Sequence, residues 1–146
     1  MLVRQILASK ARGAEEVVTV APEQSVAEAA RLLSDRHIGA LMVSADGRQV
    51  VGVLSERDIV RELGRRGSGC LDEQVDALMT RVVMPCAPDD QATAVLQQMT
   101  DGRFRHMPVL EGGLLIGVIS IGDVVKARLD ELAMEKDALE GMIMGF

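Results

Sequence analysis

Apolar and polar residues follow the same succession of patterns twice along this chain. Apolar residues at helical spacing mark one element of each copy: Val26, Ala29, Ala30 and Leu33, then Ala92, Val95, Leu96 and Met99. Two apolar runs joined by a glycine-containing turn follow, and they predict strand pairs: ALMV with VVGVL, then HMPVL with LLIGVI. A short β-rich stretch precedes each helix, at Val17–Val20 and at Val82–Met84. A second helix is predicted after a serine, so the order in each copy is β-α-β-β-α.

The residues themselves also repeat. The stretch GVLSERDIV at Gly52–Val60 returns as GVISIGDVV at Gly117–Val125, an offset of 65 residues (117 − 52). Upstream the offset is 66, because the turn in the second copy is shorter: Ala21-Pro22 falls on Ala87-Pro88. Short lead-in helices are predicted for VRQIL and VDALM, which precede the two copies. Self-similarity at a fixed spacing indicates a duplicated supersecondary unit.

The duplication predicts the domain organisation. One unit of about 60 residues has too little sheet to bury two apolar helices by itself. We therefore expect an α/β (α+β) fold in which two β-α-β-β-α repeats pack with pseudo-two-fold symmetry. The first repeat with its lead-in helix is expected at 1–70, the second at 71–129, and a C-terminal helical extension at 130–146. The segment Gly64–Gln74, with the sequence GRRGSGCLDEQ, is predicted to link the two halves, and its first part, GRRGSG, to be a flexible connection.

Both strand-to-helix junctions carry the motif Gly-hydrophobic-hydrophobic-Ser-x-x-Asp. Two such motifs in matching units, with RFRHMPV before the second, resemble tandem cystathionine β-synthase (CBS) domains, the Bateman module. The resemblance covers the chain from Val3 to Leu129. It implies adenosyl ligands such as AMP, ADP, ATP, NAD(H) or S-adenosylmethionine, bound in clefts between the two repeats. It also implies dimers of modules.

The Ser-x-x-Asp motif has two compatible interpretations. It fits a capping box, in which serine caps a helix and the acid three positions later returns a hydrogen bond. A helix N-terminus also offers N–H groups and partial positive charge to a phosphate, and a carboxylate accepts ribose hydroxyl groups. The resemblance assigns these ligand-binding roles to the matching residues: Ser55, Asp58, Ser120 and Asp123.

Further candidate ligand contacts lie near these motifs. Candidate cations for the phosphates are Arg103, Arg105 and His106 in the second repeat, and His37 and Arg57 in the first. Solvated charges are the alternative for the arginines, and a core position is the alternative for His106. Candidate walls and backbone contacts for adenine are Thr19, Ile38, Gly39, Ala40, Val83, Met107 and Pro108, each of which could equally be ordinary core. Pro108 lacks an N–H, so its strand is expected to have one open side.

Composition narrows the possible functions. The chain has 146 residues, 48% of them hydrophobic and 26% charged, and a net charge of −6, which disfavours nucleic-acid binding. Its two cysteines and two histidines form no metal-ligand pattern, and the cysteines suit a reducing, cytoplasmic setting. No apolar run reaches the roughly 20 residues of a membrane span. The N-terminal sequence MLVRQILASKARG does not resemble a secretory signal.

A non-catalytic regulatory module is the function these observations favour. It would bind AMP, ADP, ATP or NAD(H), act as a sensor of energy or redox state, and regulate a separate protein. No nucleophile lies beside an evident base, so the chain is predicted not to be an enzyme. A structural dimerisation module without a ligand is the first alternative, and a nucleotide-hydrolysing enzyme is the second.

The last helix is predicted to extend beyond the second repeat. Val125, Leu132 and Leu139 recur every seven residues, with Leu129 and Ile143 beside them. Ion pairs at spacing i,i+4 are expected between Lys126 and Asp130 and between Lys136 and Glu140. This stripe predicts a homodimer, and a solvent-facing tail that frays is the alternative.

Overall fold

The computed structural model of the chain describes residues 1–10 and 17–144. Its helices and strands confirm the predicted mixed α/β fold and the long last helix; the first repeat has the full β-α-β-β-α order, and the second has the order α-β-β-α, without the first strand. The elements are α1 (Val3–Lys10), β1 (Thr19–Val20), α2 (Val26–Arg36), β2 (Ala40–Val43), β3 (Gly52–Ser55), α3 (Glu56–Arg66), a 3-10 helix (Ser68–Asp72), α4 (Val75–Leu78), α5 (Ala92–Gly102), β4 (His106–Glu111), β5 (Leu114–Ser120) and α6 (Ile121–Ile143). In this part of the chain, no helix is long and apolar enough to cross a membrane.

The chain divides into two compact units. The first-repeat unit contains residues 17–85 together with 110–116, and the second-repeat unit contains residues 1–10, 86–109 and 117–144. Each unit therefore combines one repeat with the lead-in helix that stands before the other repeat in the sequence. Helix α1 belongs to the second-repeat unit, and α4 belongs to the first-repeat unit.

A three-stranded sheet organises the first-repeat unit. Strand β1 pairs in parallel with β2, with Val20 opposite Val43. Strand β2 pairs antiparallel with β3, and this register puts Ala40 opposite Ser55. The predicted apolar face of α2 is confirmed, because Val26, Ala29 and Leu33 are buried in the core against the sheet.

The second-repeat unit buries the equivalent positions. Ala92, Val95 and Met99 of α5 are buried with residues of β4, β5 and α6. The fully buried side chains include Met107 and Ile119, which stand where Leu41 and Leu54 stand in the first repeat. Aliphatic and sulfur-containing side chains of different shape thus fill the same core positions in the two units.

Each lead-in helix makes the same contacts in its unit. The Val75 N–H donates to the Gln24 carbonyl at 2.8 Å, and the Val3 N–H donates to the Asp90 carbonyl at 2.9 Å. A Cβ on Gly52 would lie 2.5 Å from the Met79 sulfur, and a Cβ on Gly117 would lie 2.8 Å from a methyl group of Leu7. The motif glycine therefore allows the lead-in helix to approach the strand.

The predicted β-rich stretch at Val82–Met84 is wrong. Residues 81–85 have no regular structure, and the equivalent of β1 is reduced to one parallel bridge between Cys86 and Val109. The Pro108 carbonyl accepts the Cys86 N–H at 3.0 Å, so the backbone of Pro108 faces this segment. Because proline has no N–H to donate on that side, the ladder cannot continue toward residue 84.

The prediction that GRRGSG, at Gly64–Gly69, is a flexible connection is also wrong. Helix α3 continues to Arg66, and a 3-10 helix follows at Ser68–Asp72. The Arg66 guanidinium donates to both carboxylate oxygens of Glu73, at 2.6 and 2.9 Å. Hydrogen bonds from Arg66 lower the pKa of Glu73. The Arg66–Glu73 pair, the buried Cys70 and the packing of Leu71 against the core of the first-repeat unit together order this connection.

Helix α6 confirms the predicted extension as far as Ile143. It has 23 residues, but the buried ones are Val124 and Ala127, both in its first two turns. Lys136 and Glu140 form the expected i,i+4 ion pair at 3.8 Å. Lys126 forms no ion pair with any residue described by the structure, so that expectation is wrong. Residues 145 and 146 of the predicted extension lie outside the described residues.

Candidate ligand-binding site

The first Ser-x-x-Asp motif forms a complete capping box at the start of α3. The Asp58 N–H donates to Ser55 Oγ at 3.2 Å, and the Ser55 N–H donates to Asp58 Oδ2 at 2.9 Å. The Ser55 hydroxyl lies 3.0 Å from the same carboxylate oxygen. Arg61 donates to the other oxygen, Oδ1, at 2.9 Å. Both oxygens of Asp58 therefore already have partners.

The second motif repeats the capping box at the start of α6. The Asp123 N–H donates to Ser120 Oγ at 3.1 Å, and the Ser120 N–H donates to Asp123 Oδ2 at 2.8 Å. A cation from a different element completes the group, because Lys10 at the end of α1 donates to Oδ2 at 2.7 Å. Lys10 also donates to the Val118 carbonyl at 3.0 Å. These bonds converge on one oxygen of Asp123, in contrast to the arrangement at Asp58.

The charge state of Asp123 follows from these contacts. Burial by itself would raise the pKa of this carboxyl group. Hydrogen bonds from Lys10 and from the Ser120 backbone, together with the positive charge of Lys10, outweigh burial and lower the pKa of Asp123 below its ordinary value. Asp123 is therefore an ionised hydrogen-bond acceptor at neutral pH.

Backbone contacts fix the residues around each helix start. The Gly39 carbonyl accepts the Glu56 N–H at 2.9 Å, and the Arg105 carbonyl accepts the Ile121 N–H at 2.8 Å. The two bonds are equivalent in the two repeats. They hold Gly39 beside the first turn of α3 and Arg105 beside the first turn of α6. The second motif therefore has an arginine side chain at the position where the first motif has a glycine.

All of the predicted cations except His106 lie on the surface. Arg57, Arg103 and Arg105 are exposed, and none of them forms an ion pair within residues 1–10 and 17–144. His37 and Arg103 hold equivalent left-handed positions, with φ of 54° and 57°, at the C-caps of α2 and α5. His106 is half-buried at the first position of β4.

The predicted adenine contacts divide into core and half-buried positions. Met107 is fully buried in the core of the second-repeat unit, and Pro108 and Ala40 are also buried. Thr19 and Ile38 are half-buried. Ala40 lies beside the motif, opposite Ser55. Val83 is half-buried in the irregular stretch, and no hydrogen bond within the described parts of the chain joins it to Ser55 or Asp58.

Sequence reasoning missed Lys10 and Arg61. Arg61 follows Asp58 at spacing i,i+3, at which side chains of a helix meet, so the sequence pattern does indicate this ion pair. Lys10 had no such signal, because it stands 113 residues before Asp123 in the sequence and reaches it only through the packing of α1.

Replacing Lys10 by methionine is expected to raise the pKa of Asp123, because burial then acts with less opposition. The wild-type contribution of this pair is present above the unfolded pKa of about 4 and is lost as pH falls through the lower folded pKa. At pH 7 we expect a loss of about 0.5–1 kcal/mol, a small value because Lys10 is partly exposed. Carboxyl NMR titration and urea unfolding at pH 7 and pH 2 measure both effects.

The exposed pair of Arg65 and Glu62 provides the matched control for Lys10. Its atoms lie 3.4 Å apart on the surface of α3. Arg65→Met should change stability by less than about 0.5 kcal/mol. An Asp123 pKa that is the same with and without Lys10 would contradict the proposed electrostatic role of this residue.

Comparison with known proteins identifies the family. The CBS domain matches residues 5–65 and 75–130. The chain therefore belongs to the CBS domain family, and it contains two copies of the domain, as the duplicated motifs predicted.

Curated relatives share most of this chain. An uncharacterized 17.7 kDa protein of Acidianus ambivalens is 35% identical over 121 residues, which cover 82% of this chain and 72% of that protein. The mitochondrial CBS domain-containing protein CBSX3 of Arabidopsis thaliana is 32% identical over 127 residues, which cover 84% of this chain and 62% of that protein. The chain thus spans less than two thirds of the Arabidopsis relative.

Solved structures share the fold. The CBS-domain containing protein ATU1752 from Agrobacterium tumefaciens is 43% identical with a TM-score of 0.81, covering 88% of this chain and 99% of that one. CBSX2, solved in complex with AMP, is 29% identical with a TM-score of 0.67, covering 79% of this chain and 89% of that one.

Proposed function

We propose that this chain is a non-catalytic regulatory module that binds an adenosyl ligand through the Ser-x-x-Asp motifs. The candidate ligands are AMP, ADP, ATP and NAD(H), and changes in their concentration would be transmitted to a separate protein as a signal of energy or redox state. One observation supports this proposal most directly. Each repeat places a serine and an ionised or ion-paired aspartate at the N-terminus of a helix.

The chemistry of this group suits a nucleoside phosphate. A helix N-terminus attracts the negative charge of a phosphate. The Asp123 carboxylate is ionised, and its Oδ1 lies outside the hydrogen bonds that fix Oδ2, so it suits a ribose hydroxyl group. At Asp58 a ribose hydroxyl would compete with Arg61, whose side chain is largely exposed and free to move. We therefore propose that the second repeat binds the ribose more tightly than the first.

Known ligands in the family support an adenosyl compound. CBSX2 was solved with AMP, a nucleotide that contains a ribose and a phosphate. Both motif aspartates and both motif serines are present in this chain. A capping box without a ligand remains the competing explanation of the same residues, because each box is complete within the protein.

Calorimetric titration with AMP, ATP, NAD+ and S-adenosylmethionine tests the proposal, with GMP as a control for the base. At least one adenosyl compound should bind with a dissociation constant in the micromolar range, and GMP should bind more weakly. The absence of heat with all four compounds at millimolar concentration would favour a structural module.

Arg105→Ala is expected to reduce ATP affinity by about five- to tenfold and to leave adenosine affinity within about twofold, because the arginine would interact with phosphate charge. The equivalent residue in the first repeat is Gly39, so this effect belongs to the second site. Calorimetry at two salt concentrations measures it, and Arg31→Ala on the exposed surface of α2 is the matched control. Equal losses for ATP and adenosine would show that Arg105 supports the fold instead.

We further propose that the chain acts as a homodimer in the cytoplasm. Cys70 and Cys86 are both buried free thiols, which suits a reducing compartment. The regulated protein would recognise the ligand-bound form. That step requires a difference in ligand affinity between two states of the module.

A further inference from the structure

The second half of α6 is a helix without a covering partner in its own unit. After Glu131, the residues from Leu132 to Glu140 are all exposed. Leu129, Leu139 and Ile143 have exposures of 61%, 59% and 85%. Exposed apolar side chains of this size that recur along one helix mark an interaction surface rather than a solvated tail.

Helix stability supports the same conclusion. A helical segment of 12–15 residues is marginal in water unless an apolar face packs against something. The part of α6 beyond Ala127 has about this length. Packing of its apolar face against another molecule would therefore stabilise its continuation to Ile143.

Five of the exposed apolar residues of α6, together with Lys136, form one seam along the helix, and Met134 and Met142 lie outside it. Positions at alternating spacings of four and three residues define the seam: Val125, Leu129, Leu132, Lys136, Leu139 and Ile143. Val124 and Ala127, which pack against the second-repeat unit, lie on a different face. The 23 residues of α6 span about 34 Å, so a seam of this length is long enough for a helix pair.

We propose that α6 pairs with α6 of a second copy in an antiparallel arrangement. The centre of symmetry then lies between Leu132 and Lys136, and Val125 packs against Ile143 of the other copy. Leu129 packs against Leu139 of the other copy. This proposal gives the predicted homodimer a surface and a direction, and it does not depend on a ligand.

The charged residues beside the seam favour the antiparallel direction of the helix pair. In the antiparallel arrangement Lys126 lies between the same two seam layers as Glu140 of the other copy, which gives two attractive pairs per dimer against a single like-charge contact, between the two copies of Glu135. In the parallel arrangement Glu135 instead faces Glu140 of the other copy, and Lys136 meets Lys136. Like charges in these positions destabilise a helix pair. Because Lys126 has no ion-pair partner within the described residues, its charge is available for the other copy.

Charge reversal tests the arrangement by sedimentation equilibrium of the full chain. Lys126→Glu and Glu140→Lys should each weaken dimerisation by about tenfold, because two attractive pairs become repulsive. The double variant should restore the wild-type constant within about twofold. Asp137→Lys changes the same amount of charge away from the seam and should leave dimerisation unchanged. These surface changes should preserve the helical circular dichroism signal.

Disulfide trapping gives an independent readout of direction. A mixture of Val125→Cys and Ile143→Cys proteins should form a mixed disulfide dimer under mild oxidation, and Val125→Cys alone should not. The native thiols interfere little, since both are buried and burial raises the pKa of Cys86 to about 11. A monomeric wild-type chain, tighter dimerisation of Glu140→Lys, or efficient self-linking of Val125→Cys would each overturn the proposal.

Discussion

Replacement of both Asp58 and Asp123 by asparagine is expected to weaken AMP binding by about 10- to 100-fold. This loss corresponds to about 1–3 kcal/mol, the range for hydrogen bonds to a charged acceptor. Asparagine has nearly the shape of aspartate, and its amide oxygen still accepts the serine N–H at the helix start. The variant therefore removes the negative charge with little change in the cap. Calorimetry of AMP binding at pH 7 measures the effect.

A cap outside the candidate site provides the matched control. Ser25 caps α2, and its side chain accepts the Glu28 N–H at 3.1 Å. Ser25→Ala should lower the free energy of unfolding by about 0.5–2 kcal/mol and leave AMP affinity unchanged. If the double aspartate variant behaves in the same way, the Ser-x-x-Asp motifs are caps and not ligand contacts.

Gly52→Ala is expected to destabilise the fold by about 1–3 kcal/mol. The added Cβ would lie 2.5 Å from the sulfur of Met79 and 3.0 Å from the carbonyl oxygen of Thr80. The methionine side chain is able to turn away, but the Thr80 backbone is held on Val53 by two hydrogen bonds of 2.8 and 2.9 Å. Accommodation of the methyl group therefore separates α4 from the sheet. Urea unfolding followed by circular dichroism measures the loss.

Alanine substitutions at two other glycines provide controls for the loss of stability expected at Gly52. The three atoms nearest to an added Cβ on Gly117 all belong to the flexible side chain of Leu7, so the cost of Gly117→Ala should be smaller than that of Gly52→Ala. Gly64 lies inside α3 with no atom within 4 Å of an added Cβ, and Gly64→Ala should stabilise the helix by about 0.5–1 kcal/mol. A Gly52→Ala protein as stable as the wild type would contradict the close packing of the lead-in helix.

The repeated patterns predicted most of the fold because they arise from interactions between residues that are close together in the sequence. The apolar faces of α2 and α5 follow from helical periodicity, and both are buried as predicted. The serine and aspartate of each motif cap a helix, as their spacing predicted. These features depend on residues close together in the sequence, so inspection of the chain finds them.

The errors came from contacts that local patterns do not contain. The apolar stretch Val82–Met84 has high strand propensity, but Pro108, far along the chain, removes the N–H that a strand partner must supply. The segment after Gly64 is rich in glycine and charge, yet the bond of Arg66 to Glu73 and the burial of Cys70 order it. Lys10 reaches Asp123 only because α1 packs in the second-repeat unit. Pro108 and Lys10 act across long stretches of sequence, and Arg66 and Glu73, although seven residues apart, are not joined by any helix or strand periodicity.

The ribose contact is the central claim, and a thermodynamic cycle with 2′,3′-dideoxy-AMP tests it most directly. Calorimetry would compare AMP with the dideoxy compound on the wild-type chain and on the chain with both Asp58→Asn and Asp123→Asn. The account predicts that loss of the hydroxyl groups weakens wild-type binding by about tenfold or more and leaves binding to the variant nearly unchanged. Equal affinity of the wild-type chain for the two nucleotides would contradict the account.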